Sequence, residues 1–375
     1  MNILFVVTYY RPHWTGLTQY AGRLAEGLAN RGHHVEVLCS LHQENLPEEE
    51  IVNGVKVFRV PTLGRISRTE IAPLFPLKLM QRIRSVTTVV AYLPLAEVGI
   101  VALLTNILKR KFFLVHNGDL VLPKGAWNRL LEKIYYATTG FAIGLSDGIV
   151  IQTEDYAEQS KLLANWKKKW KRILPLYKRN NTTSEDIDKF KKTANLKGRK
   201  LVGFSGRFVE EKGVDILLKA IPKVVARFPN TQFIFAGEYR IHYEKYWRKV
   251  APLVEAEKRH ITLPGLIRDQ SSLNAFYGSL DVFVVPSRSD CFPSSQVEAA
   301  LAGAPLVCTD IPGARWVVKQ SGMGVIVEPN SPDGLAEGIM KLLKRKRRFQ
   351  IQKAIIEETF NYGKTLDTYE ELFQK

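Results

Sequence analysis

Cysteine is scarce in this 375-residue chain, with three residues at Cys39, Cys291 and Cys308. Their odd number and their spacing fit neither a disulfide framework nor a metal cluster. A bridge-stapled secreted fold is therefore excluded and a reducing cytosol is predicted. The opening MNILFVVTYY lacks a basic region and a small-residue cleavage site, so it reads as a buried strand rather than a signal peptide. The stretch VTTVVAYLPLAEVGIVALLTNIL at 86–108 has the length of a membrane span, but Pro94 and Glu97 sit at its middle. It predicts a strand over 86–92 and a helix over 96–108. Acidic residues are in deficit, 37 against 54 Lys and Arg, which gives a net charge of +17. Such an excess predicts an anionic partner. The cations gather at Arg65, Arg68, Lys78, Arg82 and Arg84, in KKKWKR at 167–172, and in KRKRR at 344–348. Each group reads either as a solvated face or as a surface for anionic lipid head groups. No nucleic-acid recognition motif accompanies them.

What is present is one rhythm written twice. NILFVVTYY predicts a strand, followed by a loop around Gly16, the helical LTQYAGRLAEGLANRG and the strand HHVEVLCS. Strand, loop, helix and strand at this spacing form a βαβ unit of a parallel sheet. VKVFRVP, TTVVAYLP, KFFLVHN and DGIVIQT supply further strands. After Lys171 the pattern stops, and YKRNNTTSEDIDKFKKTANLKGRK predicts a linker with a short helix. The rhythm restarts with KLVGFSGRF and GVDILLKAIPKVVARF, then runs through TQFIFAG, HITLPG, DVFVVPS, APLVCTD and GVIVE. These periods predict an α/β protein of two doubly wound domains, residues 1–180 and 181–355. A helix over 356–375 is expected to pack back towards the first domain.

Ligands of open parallel sheets sit at the carboxyl ends of the strands. FSGRFVEEKG brings Gly206, Arg207 and Lys212 to that edge. A guanidinium and an ammonium beside a glycine turn suit a diphosphate, unless they merely pair with Glu210 and Glu211. VVPSRSDCFPSSQVEAALAG predicts a strand end, a loop and a short helix with Ser294 or Ser295 as N-cap and Gly303 as its stop. The start of that helix is an anion site. Glu298, about one turn inside, is placed for a ribose diol, and Asp290 stands on the other side of the same anion site. The alternative is a pair of capping or surface carboxylates. A nicotinamide dehydrogenase is excluded because YYRPHWTGLTQYAG holds no Gly-x-Gly-x-x-Gly cluster. The one Asp-x-Asp, Asp186 and Asp188, lies at a predicted helix start and reads as helix-end chemistry rather than a metal site.

Across essentially its whole length the chain resembles glycosyltransferase family 4, the retaining enzymes of the GT-B fold. GFSGRFVEEKGVDILLKAI, DVFVVPSRSDCFPSSQVEAALAGAPLVCTDIPGA, SGMGVIVEP and the strand–Gly16–helix opening carry the resemblance. It implies two Rossmann-like domains facing across a cleft. It also implies transfer of a hexosyl group, with retained configuration, from a GDP- or UDP-linked sugar in cell-surface glycan synthesis. The acid pair of the family is Glu, seven residues, Glu; here Asp290 replaces the first and is one methylene shorter. The stretch LPLYKRN likewise replaces the family's usual Pro-Asn-Gly type of sequence.

Carried over by this resemblance, Arg207 and Lys212 bind the diphosphate and Glu298 the ribose. Asp290, with backbone groups from Phe292 to Ser294 and Ser295, holds donor sugar and phosphates. Gly206 and Ile267 border the nucleotide. Gly16 admits the donor closely, and His116 stands beside the reacting sugar, although a lone histidine is more often structural. No metal or other cofactor is implied. The expected acceptor is a glycan or a lipid-linked saccharide at the inner face of the cytoplasmic membrane. The run ISRTEIAPLFPLKLM at 66–80 and NWKKKWKR, with Trp166 and Trp170 four apart on one helix face, are the expected membrane contacts. The competing readings are tryptophans packed between domains with a soluble acceptor, and a sugar-nucleotide-binding protein or epimerase that transfers nothing.

Overall fold

The computed structural model describes residues 1–66, 69–120, 122, 125–177, 181–241, 245–344 and 349–374. Arg68 and positions 345–348 of the expected basic groups lie outside the described residues, as does the side chain of Arg65. The chain divides into two compact units. One comprises Met1–Leu176 with Asn361–Lys375, and the other is the continuous segment Tyr177–Phe360.

In the first unit β1 (Asn2–Val6) is followed by α1 (Gly16–Asn30) and β2 (His34–Ser40). Then come β3 (Glu49–Val52), β4 (Val55–Val60), the small hairpin β5 (Gly64–Ile66) and β6 (Thr69–Ile71), and α2 (Phe75–Ile83). The unit continues with β7 (Thr88–Leu93), α3 (Val98–Ile107), β8 (Lys111–His116), α4 (Ala126–Leu145), β9 (Gly148–Ile151), α5 (Glu154–Gln159) and β10 (Trp170–Arg172). Eight of these strands form a sheet in the order β10-β9-β8-β7-β1-β2-β4-β3. All its pairings are parallel except β3 with β4. Continuous apolar runs form its centre because helices cover both faces, as in β7, where all six residues are buried. Alternation divides β1 between two cores. Leu4 and Val6 face α2, α3 and α4, while Ile3 and Phe5 face α1.

The segment 86–108 is the strand β7 and the helix α3. Among the described residues no helix is long and apolar enough to cross a membrane. Four strands lie outside the predicted set. β3 is charged and sits at the sheet edge, and β5, β6 and β10 are three residues each. The β3–β4 turn is Asn53-Gly54, with φ of 49° and 82°. That two-residue geometry strongly favours Asn-Gly.

The segment expected to lay two tryptophans on a membrane does something else. Ala164–Lys169 is a 3₁₀ turn and Trp170 opens the edge strand β10. Both indoles pack against the core of their own unit. The Trp170 ring nitrogen donates to the Leu163 carbonyl at 3.2 Å, and Trp166 lies against Gly144. Lys169 donates to the carbonyls of Gly144 and Ser146 at the end of α4, where a cation complements the helix dipole. Lys167 pairs with Glu158 at 2.9 Å. A spacing of four places residues on one face only inside an α-helix, and this segment is not one.

The second unit begins with α6 (Ser184–Thr193), β11 (Lys200–Ser205), α7 (Val214–Arg227), β12 (Thr231–Ala236), α8 (Tyr246–Ala256), β13 (Ile261–Gly265) and α9 (Gln270–Ser279). It continues through β14 (Val282–Val285), α10 (Ser294–Leu301), β15 (Leu306–Thr309), α11 (Pro312–Ser321), β16 (Gly324–Val327), α12 (Pro332–Leu343) and α13 (Gln350–Thr359). Its six strands are all parallel, in the order β13-β12-β11-β14-β15-β16. The expected linker helix is α6, which packs onto α9 through Phe190 and Phe276. Asp186 closes its capping box, accepting from the Thr183 N–H at 3.0 Å and hydroxyl at 2.8 Å.

The last helix, α14 (Tyr362–Gln374), belongs to the first unit. Its Leu366, Tyr369 and Phe373 enter the α1-side core. Tyr369 and Tyr20 share a buried hydroxyl hydrogen bond, and Phe373 meets Phe113 at 5.4 Å between ring centroids. Phe373→Ala should cost about 3–5 kcal/mol in the first unit. Amide exchange in β7 and β8 should accelerate accordingly, and unchanged protection there would show that α14 contributes nothing to this core.

Candidate active site

The strand order places a switch point in the second unit between β11 and β14, from which consecutive strands run outward in opposite directions. The loops after β11 and β14 diverge there, leaving a crevice beyond the strand ends. Three glycines let the surrounding chain segments pass each other. A Cβ on Gly213 would stand 2.0 Å from the Pro286 carbonyl oxygen, and its φ of 65° is left-handed. On Gly237 a Cβ would meet the Gly206 carbonyl oxygen at 2.0 Å. On Gly313 it would meet the carbonyl oxygens of Asp290 and Cys291 at 2.1 and 2.3 Å. No side chain fits at any of the three.

Side chains then bind the β11 loop to the β14 loop. The Lys212 ammonium donates to the Asp290 carboxylate. The expected alternative, pairing with the neighbouring glutamates, is not the arrangement seen for Lys212. Arg288 grips Asp215 through two parallel bonds of 2.8 and 2.9 Å, and also donates to the Glu210 carbonyl at 2.8 Å and to Asn330 at 2.8 Å. A forked guanidinium–carboxylate pair of this kind fixes geometry as well as charge. Burial of Asp215 alone would raise its pKa. Hydrogen bonds from Arg288 and Tyr246 outweigh that effect and lower it to about 2. The Tyr246 hydroxyl moves the opposite way, raised by its burial and by the bond to Asp215.

Helix α10 starts differently from expectation. Pro293 occupies the N-cap and no side chain caps the helix, so Ser294 and Ser295 are its first two residues. A proline has no N–H to leave unpaired and fixes its own φ, and the boundary falls one or two residues earlier than expected. Glu298 is the fifth helical residue and half-buried. Gly303, with a φ of 95°, follows the C-cap Ala302. Gln296 is buried and donates to the Gly313 carbonyl at 3.2 Å. The Phe292 ring stacks at about 6 Å on Trp316 and Phe360, anchoring the segment before the helix.

Gly206, Arg207, Lys212, Asp290, Phe292, Ser294, Ser295 and Glu298 therefore belong to the loops and helix start beyond β11 and β14. Arg207 is exposed there. Ile267 is half-buried in the loop after β13, with β12 between that strand and β11. Gly16 and His116 belong to the first unit. Gly16 opens α1 directly after Thr15, whose side chain closes a capping box with Thr18. His116 ends β8, fully buried, with its Nε2 3.2 Å from Asp119. Asp119 also accepts from the Ser160 hydroxyl at 2.6 Å and the Lys161 N–H at 2.9 Å. Its burial opposes ionisation, but these bonds prevail and lower its pKa. The sequence reading omitted Arg288, Asp215, Gly213, Gly237 and Gly313. Among the described residues no group of three or more His, Cys, Asp or Glu could hold a metal ion.

The loops and helix start beyond β11 and β14 thus bring together two cations, an uncapped helix start and two half-buried carboxylates, at the switch point of a doubly wound sheet. The family described as glycosyl transferases group 1 matches residues 185–361. The glycosyl transferase 4-like domain matches residues 15–166. The chain belongs to this glycosyltransferase family, and its fold is GT-B. It is 24% identical over 365 residues to an uncharacterized glycosyltransferase of Methanocaldococcus jannaschii, covering 92% of this chain and 89% of the relative. It is also 24% identical over 341 residues to a phosphatidyl-myo-inositol mannosyltransferase of Mycobacterium tuberculosis, covering 88% and 84% of the two chains. Among solved structures, Anabaena HepE in complex with UDP and glucose superposes with a TM-score of 0.81 at 17% identity. That match covers 100% of this chain and 99% of the other.

The Arg288–Asp215 pair makes an acid-stability prediction. With its folded pKa lowered to about 2, Asp215 contributes stability that is fully present above an unfolded carboxylate pKa of about 3.9 and is lost as pH falls through the folded value. Arg288→Met should therefore lower the unfolding temperature of the second unit most at pH 6. The gap to the unmodified protein should close as the pH approaches the folded value. A gap independent of pH would assign the loss to packing instead.

Proposed function

We propose that the protein is a retaining hexosyltransferase that moves a sugar from a GDP- or UDP-linked donor to a hydroxyl of a membrane-associated saccharide or glycolipid. The observation that carries this reading is the Lys212–Asp290 pair beside the uncapped start of α10. A cation and a carboxylate held against each other in this way are ready to be separated by a ligand with a charge for one and hydroxyls for the other. The diphosphate takes Lys212, Arg207 and the backbone N–H groups at Ser294 and Ser295. Asp290, released from Lys212, then accepts from a sugar hydroxyl. Glu298 accepts from the ribose diol, and Ile267 and Gly206 border the base and phosphates.

As the anomeric carbon–oxygen bond breaks, negative charge grows on the leaving diphosphate. Fixed donors aimed at that charge stabilise the transition state more than the ground state. Arg207, Lys212 and the dipole of α10 supply those donors without a metal ion. The family resemblance assigns roles toward the donor sugar to His116, held by Asp119, and to Gly16 as well. The UDP and glucose bound to HepE support a nucleotide-sugar donor. The name of the mycobacterial relative supports a lipid acceptor.

Thermal shift against a panel of nucleotide sugars tests the donor, since a ligand that binds only the folded state raises its stability. Donor turnover with and without a lipid acceptor tests transfer, and a protein that binds donor but never turns it over contradicts the proposal. Arg207→Ala and Lys212→Ala should each reduce kcat by about a hundredfold or more with the fold intact. Wild-type turnover in both would remove them from the mechanism. Activity should also persist in excess EDTA. A loss reversed by magnesium or manganese would replace the two cations with a metal.

A further inference from the structure

Helices α2, α3 and α4 form one layer, joined side by side against the same face of the first sheet. Their outward sides are unusually apolar. Leu74 and Leu77 of the α2 turn, Leu103 and Ile107 of α3, and Trp127, Leu130, Ile134 and Phe141 of α4 are all between 45% and 62% exposed. Most of the large apolar side chains exposed among the described residues belong to this layer. Isolated exposed leucines are ordinary, but a contiguous row is not.

On α4 the pattern is regular. Trp127, Leu130, Ile134 and Phe141 fall within about 60° of one another around the helix axis. Tyr135, Thr139, Ala142 and Ile143 occupy the buried side. Arg129 and Lys133, both exposed, border one edge of the apolar stripe. The only acid of the helix, Glu132, is on the other side, where it accepts from the Leu122 N–H at 3.1 Å. Lys109, two residues after Ile107, is exposed.

We propose that the outer side of the α2–α3–α4 layer docks on an anionic bilayer, with the α4 stripe entering the head-group boundary and Arg129, Lys133 and Lys109 facing the lipid charges. This inference rests on the reading of a membrane-held acceptor and supplies the surface that the segment 166–170, folded into its own core, does not. An apolar stripe with a basic edge is the pattern of a helix lying in the membrane plane. The occupant follows from charge. A second copy of a chain carrying +17 would bring the cations of two such edges together. A bare polyanion would leave the tryptophan, leucines and phenylalanine with nothing apolar to cover them. Only an anionic bilayer matches both halves of the surface.

The test is co-sedimentation of the full chain with vesicles of phosphatidylcholine, with and without phosphatidylglycerol. Binding should require the anionic lipid and weaken with salt. Ile134→Glu and Phe141→Glu should each reduce it by about tenfold or more. Arg129→Glu with Lys133→Glu should abolish its dependence on phosphatidylglycerol. Trp127→Ala provides a milder change whose loss of binding cannot be attributed to an added charge. Donor-induced thermal shift is measured on the same variants. Donor binding that persists while vesicle binding is lost locates the effect at this surface. Vesicle binding that survives all four changes overturns the inference and leaves the transferase reading standing. Absent vesicle binding, with a dimer that the same substitutions dissolve, overturns it in favour of a second copy.

Discussion

Two loops that leave neighbouring strands in opposite directions have to be brought together, and ion pairing across the β11–β14 switch point does this. Arg288 joins its own loop to Asp215 at the start of α7 and to the Glu210 carbonyl. Lys212 joins Asp290 from the other direction. The two pairs differ in character. The first is forked, and its carboxylate is buried. The second is a single bond, and its carboxylate is the more open of the two, 13% exposed against 5% for Asp215. Breaking the forked pair leaves the more deeply buried carboxylate uncompensated, whereas a single bond to a half-buried ammonium on a flexible stem is more readily exchanged. The scaffold is thus held by one ion pair while its neighbour remains exchangeable.

The glycines make the same division possible. Gly213, Gly237 and Gly313 let carbonyl oxygens approach to distances that any side chain would prevent. The loops can therefore converge closely, with Phe208 and Phe292 as their apolar anchors and polar groups left at the surface of the crevice. In this part of the molecule backbone proximity adds to side-chain packing.

Much of this was legible because the relevant signals are local. The apolar runs of β1, β7, β11 and β14, the capping box at Thr183 and Asp186, and the segment from Asp290 to Gly303 all concern residues close in sequence. The Asn53-Gly54 turn of the β3–β4 hairpin is equally local, but the sequence reading passed over it. What escaped depends on pairs far apart. Arg288 and Asp215 are 73 residues from each other, and neither has a motif of its own. The close approaches at Gly237 and Gly313 depend on strand order, which periodicity alone leaves open. Trp166 and Trp170 misled for another reason, since their spacing assumes a helix where the chain makes a tight turn and then a strand.

The division of the chain also sets an order of assembly. Residues 177–360 form one uninterrupted unit, with the Tyr177 and Phe360 rings meeting edge to face, 5.5 Å between centroids, at its two ends. Topologically it is an insertion, entered and left at nearly the same point, an arrangement that compact domains tolerate well. The first unit is interrupted by it. On a ribosome, the second unit can complete its core while the first still lacks α14, whose Leu366, Tyr369 and Phe373 emerge only afterwards. Until then Tyr20, Phe113 and the α1 face have no cover. The unit synthesised first is the unit finished last.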